Sequence, residues 1–299
     1  MRVLVTGAYG YLGLAVLMKL AGKLSLVGLG RPARVPAAPP VPTIAGDARG
    51  IAKVIADHGP FDAVIHLAGG GGPAKVEADP VRAVADNIST TIAVASAAKD
   101  LRLLFASTIA VYGGGGGVFR EADGPSPTDL YGALKAAAEE IVALHGGTSL
   151  RLANVYGVGS GIDVGLDGAA ERFARAAAAG RDITVYGEGT QAIDYVHVDD
   201  VVDAFAAALA APALPAVLNV GSGRPTTIAA LARTAADAGR AMGASPHIVS
   251  VAPPPGKVWP DRSLDISLAE RVLGWRPRVP VDEGMRALTV MMKSTMRST

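Results

Sequence analysis

The chain has 299 residues, half of them hydrophobic, and a formal net charge of +1. That length fits one large domain or two small ones with a sizeable core, and the scattered, balanced charge gives no footing for nucleic acid or a membrane surface. There are no cysteines, which excludes disulfides, thiolate metal sites, iron–sulfur clusters and a cysteine nucleophile. The histidines (His58, His66, His145, His197 and His247) are dispersed without metal-ligand spacing, so no metal is expected. The first apolar stretch is short and ends in a glycine loop, as a first strand does and a signal peptide does not. No segment reaches the roughly 18 to 20 apolar residues of a membrane helix. The expected compartment is the cytoplasm.

In chain order, Arg2 to Val5 reads as a strand, Tyr11 to Ala21 as a helix and Leu24 to Leu29 as a second strand. A proline-rich connection follows from Pro32 to Pro42. Ala63 to Leu67 and Arg102 to Ala106 read as strands, separated by a helix from about Val81 to Lys99. Tyr131 to Leu144 is a strong helix, and Ser149 to Leu152 another strand. Continuous apolar strands between helices signal an α/β doubly wound parallel sheet (a Rossmann fold), covered on both faces and binding ligands at the carboxyl ends of its strands. The second half is broken by Pro212, Pro215, Pro225, Pro246 and Pro253 to Pro255 into shorter elements. We divide the chain into a dinucleotide-binding domain, residues 1–155, and a smaller substrate-binding region, residues 156–299, with residues 193–220 expected to return to the first.

Gly7-Ala8-Tyr9-Gly10-Tyr11-Leu12-Gly13 joins the first strand to the first helix. Gly7 permits the tight turn, Gly10 lets backbone approach a pyrophosphate, and Gly13 allows close helix–strand packing. The helix N-terminus beside them offers free amide donors and a positive dipole end. Tyr9, Tyr11 and Leu12 belong to the same expected cofactor loop. The second strand ends Gly28-Leu29-Gly30-Arg31, without the acidic residue that would meet an adenosine ribose 2′-hydroxyl. Gly30 leaves room there, and Arg31 or Arg34 can pair with a 2′-phosphate, which favours NADP while leaving NAD open. Asp47, followed by Ala48, is placed to accept from the adenine amino group. Leu67-Ala68-Gly69 ends the next strand where backbone passes the cofactor, and His66 reads as structural.

Tyr131 and Lys135 lie one turn apart on one helix face. A lysine cation beside a phenol, near an oxidised nicotinamide, favours the phenolate and lowers its pKa, so Tyr131 can exchange a hydroxyl proton near neutral pH. Lys135 can also bond the nicotinamide ribose. Thr108, running off the end of the strand before it, can hold the substrate oxygen beside Tyr131, and Ser107 is the adjacent second choice.

These segments together resemble the extended short-chain dehydrogenases, the NAD(P)-dependent nucleotide-sugar epimerase/dehydratase family. The resemblance covers the glycine loop, the His66 to Gly69 strand end, Asn87 in a helix, Ser107 to Gly113 and Tyr131 to Lys135 with Glu139. It continues through Arg151 to Gly157, Asp194 to Asp200, Asn219 to Gly221 and Leu273 to Pro277. It implies Thr108, Tyr131 and Lys135 as catalytic residues, Asn87 on the cofactor side, Asn154 and Tyr156 on the substrate side, hydride transfer at a sugar carbon, often C4, and a homodimer through a helix pair that includes the Tyr131 helix. Two departures stand out. Ile109 and Ala110 follow Thr108 where the family's 4,6-dehydratases carry an aspartate and a glutamate, so that elimination lacks its acid and base. Ile193 replaces the arginine that pairs with the substrate diphosphate, and a further arginine is missing near Pro254; Arg262 is the candidate replacement.

The leading reading is an NAD(P)-dependent epimerase or ketoreductase of a nucleotide-linked sugar. Ile193 keeps open a reductase of a non-nucleotide carbonyl compound. A cofactor-sensing protein on the same fold is the alternative of another class, and the complete Thr108, Tyr131 and Lys135 set argues against it.

Overall fold

Apolar runs with no wet face must be covered on both sides, and alternate residues of one strand then feed two separate cores. A computed structural model describes residues 1–31, 38–69, 71–158, 168–256 and 259–296. The first half runs β1 (Arg2–Thr6), α1 (Tyr11–Leu20), β2 (Ser25–Gly30), β3 (Thr43–Ala45), α2 (Ile51–His58), β4 (Ala63–His66), α3 (Pro73–Ala78), α4 (Pro80–Val84) and α5 (Thr90–Ala97). It continues through β5 (Arg102–Thr108), β6 (Gly117–Phe119), α6 (Leu130–Leu144) and β7 (Thr148–Leu152). Next come β8 (Asn154–Tyr156), α7 (Ala169–Ala178), β9 (Ile183–Tyr186), β10 (Ala192–Ile193), β11 (Tyr195–His197), α8 (Val198–Ala210) and β12 (Val217–Val220). The chain ends with β13 (Thr226–Thr227), α9 (Ile228–Ala241), β14 (Ile248–Val251), β15 (Arg262–Leu264), α10 (Ser267–Leu273) and α11 (Val281–Met296).

Seven parallel strands form the main sheet in the order β12-β7-β5-β4-β1-β2-β3. The chain winds outward from β1 to β3, then crosses back and winds the other way from β4. The switch point lies between β1 and β4, where Thr6 pairs with His66 and a crevice opens at the carboxyl ends. Val3 and Val5 point into the core under α1 and α8, whereas Leu4 points into the core under α2, α5 and α6. β12 and α8, from the 193–220 stretch, lie on this sheet and its covering layer.

A second core gathers α7, α9 and α11 against β9, with Phe173, Leu231, Met285 and Leu288 buried in it. Its alanine-rich helices approach closely: a Cβ built on Gly239 of α9 would stand 2.7 Å from the Ala177 carbonyl oxygen. Between the cores, β10 pairs with β13 and β15, β15 with β6, and β8 with β11. Of these, β8, β10, β11 and β15 contribute residues to the wall of a second cleft, together with α7 and β9.

Two local features depart from the sequence reading. The helix expected from Val81 to Lys99 is interrupted by a wide π-turn, Ala85–Ser89, which carries Asn87. β3 was not expected at all. Arg34 lies outside the described residues. Among the described residues no helix is long and apolar enough to cross a membrane, and no group of three or more His, Asp or Glu could hold a metal.

Candidate active site

The glycine loop is built by steric necessity. Gly7 sits at φ +67°, in the left-handed region. A Cβ there would lie 2.6 Å from backbone atoms of Leu67 and Ala68 at the end of β4. Gly13 lies just as close to the backbone of Gly7 and Ala8, so α1 seats directly on the turn. Gly10 is the N-cap of α1 in an extended conformation, and no side chain caps the helix there. The first-turn amides are therefore free to bond an anion, and the loop fits the pyrophosphate of a dinucleotide.

Of the residues expected to hold the cofactor, Gly7, Tyr9, Gly10, Arg31, Asp47, Ala48, Leu67, Ala68 and Gly69 line this one cleft. Asp47 caps the short helical turn Ala48–Gly50, accepting from the Arg49 amide at 2.9 Å. The Arg49 guanidinium also binds it at 2.9 and 3.0 Å and holds its carboxyl down at about 2. Arg31 reaches over the rim, 3.9 Å from Asp86. His66 is buried between the hydroxyls of Thr6 (2.8 Å) and Thr91 (3.1 Å), and burial pushes its pKa down to about 3. It is a structural histidine.

The catalytic side chains come from two elements that meet at the same end of the sheet. β5 ends at Thr108, whose hydroxyl accepts from the Ala110 amide at 3.2 Å and starts a tight turn over Ile109–Tyr112. α6 begins at Asp129, which caps it by accepting from the Gly132 amide at 2.7 Å. Gly132 brings the helix against that turn, since a Cβ there would be 2.6 Å from the Ala110 carbonyl oxygen. Tyr131 consequently faces Thr108, whose hydroxyl favours the ionised phenol against the effect of burial.

One turn on, the Lys135 ammonium donates to the Ala106 carbonyl at 3.1 Å and lies 4.6 Å from the centre of the Phe105 ring. Burial brings its pKa down to about 8. The Tyr131 phenol is raised above its ordinary value because burial outweighs the effect of the Thr108 hydroxyl. The sequence reading expected Lys135 to lower it in the presence of an oxidised nicotinamide; within the protein itself desolvation dominates. A further turn on, buried Glu139 accepts from the Ser107 hydroxyl and binds Arg151 through bonds of 2.7 to 3.1 Å. A Cβ built on Gly69 would be 3.0 Å from the Asn87 side-chain oxygen and 3.6 Å from the Lys135 nitrogen, so cofactor cleft and catalytic helix adjoin there.

Asn154, Ile193 and Arg262 line the second cleft. Ile193 and Arg262 are register partners on β10 and β15, so Arg262 projects beside the position where arginine was expected. Its guanidinium donates to the Ile109 carbonyl at 2.9 Å, and its Nε is buried with no hydrogen-bond partner among the described residues. The Asn154 amide donates to the Asp194 carbonyl at 3.1 Å.

The side chains of several expected residues face elsewhere, although Tyr11 and Leu12 keep their first-turn amides at the glycine loop. The Tyr11 hydroxyl donates to the Gly157 carbonyl at 2.8 Å, and Leu12 packs against the core. Ser107 is engaged by Glu139. Tyr156 is buried edge-on to Tyr195 and His197, its hydroxyl 3.3 Å from the Val281 carbonyl oxygen. The Asn87 amide donates to the Ala83 carbonyl at 2.9 Å, and its side-chain oxygen lies against Gly69 of the cofactor cleft. Conversely, Asp86 and Gly46 line the cofactor cleft, and Tyr186, Arg172 and Trp259 the second cleft, without having been singled out. Tyr186 and Trp259 stack at 5.4 Å, although 72 residues of intervening chain, 187–258, hide the pairing from any local pattern.

Residues 3–221 match the family described as the NAD dependent epimerase/dehydratase family. The chain is 28% identical to the dTDP-L-rhamnose 4-epimerase of Burkholderia thailandensis, over 96% of this chain and 93% of that protein. It is 30% identical to the UDP-glucose 4-epimerase of Mycolicibacterium smegmatis, over 95% and 96% of the two chains. The crystal structure of the Thermus thermophilus UDP-glucose 4-epimerase in complex with NAD superposes with a TM-score of 0.83, at 30% identity, over 98% of this chain and 99% of that one.

Proposed function

The chain belongs to the NAD dependent epimerase/dehydratase family and is an NAD(P)-dependent enzyme of the extended short-chain dehydrogenase type, and we propose that it transfers a hydride at C4 of a nucleotide-linked sugar. The observation that carries this reading is the Thr108–Tyr131 hydroxyl pair beside Lys135, set against the dinucleotide cleft. Similarity to two 4-epimerases supports C4 as the reacting carbon.

A bound nicotinamide supplies the hydride acceptor or donor. Thr108 orients the substrate oxygen, and Tyr131 takes or gives its proton. Lys135, cationic below its pKa of about 8, stabilises negative charge on the phenol oxygen and is placed for the cofactor ribose. The side chains of Ile109 and Ala110 carry neither an acid nor a base, which argues against the elimination of a 4,6-dehydratase.

A ketoreductase, which consumes external reduced cofactor, is favoured over an epimerase, which retains and recycles its own, by the Gly30–Arg31 strand end. Gly30 and Arg31, in place of an acidic ribose ligand, support NADPH as the reductant. Fluorescence titration of the purified protein should show NADPH binding at least as tightly as NADH; a clear preference for NADH contradicts this. Tightly held cofactor in the purified protein would indicate the epimerase instead. We also propose a homodimer through α5 and α6, which leave Ile92 and Leu144 exposed, to be read from the mass in solution.

A further inference from the structure

Successive side chains of a strand point to opposite faces, so residues two apart share one. In β2, Gly28 and Gly30 share a face and Leu29 is buried on the other. The Tyr9 ring lies in the shallow bed these glycines leave. A Cβ built on Gly30 would meet ring atoms of Tyr9 at 2.6 and 3.2 Å, and one on Gly28 would meet the Tyr9 hydroxyl at 3.1 Å. The ring has little freedom to withdraw: Tyr9 is 4% exposed, and its hydroxyl bonds that of Thr43, which donates to the Val41 carbonyl at 3.0 Å. Tyr9, Gly30 and Arg31 all line the cofactor cleft.

We propose that Tyr9 is a cofactor-specificity residue of this enzyme. Its ring fills the volume that a side chain at position 30 would need, so Tyr9 and an acidic ribose ligand at the end of β2 exclude one another. Among the described residues the cation at that strand end is Arg31, 45% exposed on its side chain and 3.9 Å from Asp86, which also lies 3.6 Å from Arg82. An arginine tethered at the rim suits a 2′-phosphate, and an aromatic wall gives a 2′-hydroxyl no acceptor. The direction of the preference rests on the NADPH reading above. The exclusion between positions 9 and 30 does not.

The test is a cycle of four proteins: wild type, Gly30→Asp, Tyr9→Ala and the double variant, each titrated with NADH and NADPH. Tyr9→Ala should raise NADH affinity about tenfold or more further in the Gly30→Asp protein than in the wild type, a coupling of ~1.4 kcal/mol. NADPH affinity should fall in both proteins that carry the aspartate. A second cycle with Gly30→Ala is read by thermal unfolding without cofactor. Gly30→Ala should lower the midpoint by roughly 2 to 6 °C in the wild type and by much less in Tyr9→Ala. An effect of Tyr9→Ala on NADH affinity that is the same with Gly30 and with Asp at that position, or thermal losses that simply add, would overturn the proposal. A wild-type preference for NADH would overturn the NADPH reading while both couplings remained measurable.

Discussion

Lys135 is a cation held in a place that disfavours it. Its ordinary pKa of 10.5 falls to about 8 on burial. Between those values the unfolded chain binds more protons than the folded one, so stability rises with pH across that window, by about 1.4 kcal/mol per unit. Lys135→Met should abolish that slope, so thermal midpoints of the cofactor-free proteins should diverge from pH 8 upward. Parallel curves would mean that the ammonium is not desolvated. His66 works in the other window. Its folded pKa of about 3 lies below the ordinary 6.5, so the stability it lends is complete above pH 6.5 and is lost as pH falls toward 3. His66→Asn should flatten acid unfolding in that range. Tyr131, Lys135 and Thr108 were legible as types at a spacing, because the i, i+4 rule places two of them without tertiary knowledge. The phenol's raised pKa was not, because desolvation depends on what packs over it.

At the scale of elements, the helix that carries Tyr131 and Lys135 is anchored at its next turn by Glu139, whose carboxylate binds Arg151 of β7 and the Ser107 hydroxyl of β5. Arg151 in turn lies 4.7 Å from the centre of the Tyr112 ring. A buried pair of this kind is costly to break from one side, because the remaining charge is stranded. Glu139→Leu should therefore destabilise by about 3 to 5 kcal/mol, and the double variant Glu139→Leu with Arg151→Met by less than the sum of the two single changes. Denaturant unfolding of the four proteins measures this, and additive losses would refute the coupling. Strands β1, β2, β4, β5 and β7 were legible as continuous apolar runs between helices. β3 was hidden by the prolines before it, and the π-turn at Ala85–Ser89 by a helical pattern that hydrophobic spacing alone cannot resolve.

At the scale of the molecule, the cofactor cleft belongs to one loop and its neighbouring strand ends, and it could be read in the sequence. The second cleft is assembled from α7, β9, β10 and β15, which nothing local connects, so Tyr186, Arg172 and Trp259 stayed invisible until the chain was folded. Arg262 was reachable through the gap at Ile193, and the two prove to be register partners. If the substrate carries a diphosphate, Arg262→Ala should weaken its binding by roughly 2 to 5 kcal/mol, since the guanidinium is partly desolvated. Isothermal titration with a nucleoside diphosphate sugar checks this, and an unchanged affinity would assign the phosphates to another group.

The central claim is hydride transfer at C4 with Tyr131 as the proton relay, and isotope transfer tests it most directly. Each of a panel of uridine and thymidine diphosphate sugars, carrying deuterium at C4, is incubated with the enzyme and oxidised cofactor. The label on the nicotinamide is then followed by mass spectrometry. We predict that one of these sugars passes its deuterium to the nicotinamide, and that Tyr131→Phe, with its cofactor affinity unchanged, slows the transfer by roughly 10²- to 10⁴-fold. Label that stays at C4 of an uninverted sugar in every case, or a Tyr131→Phe protein that transfers it at the full rate, would contradict the account.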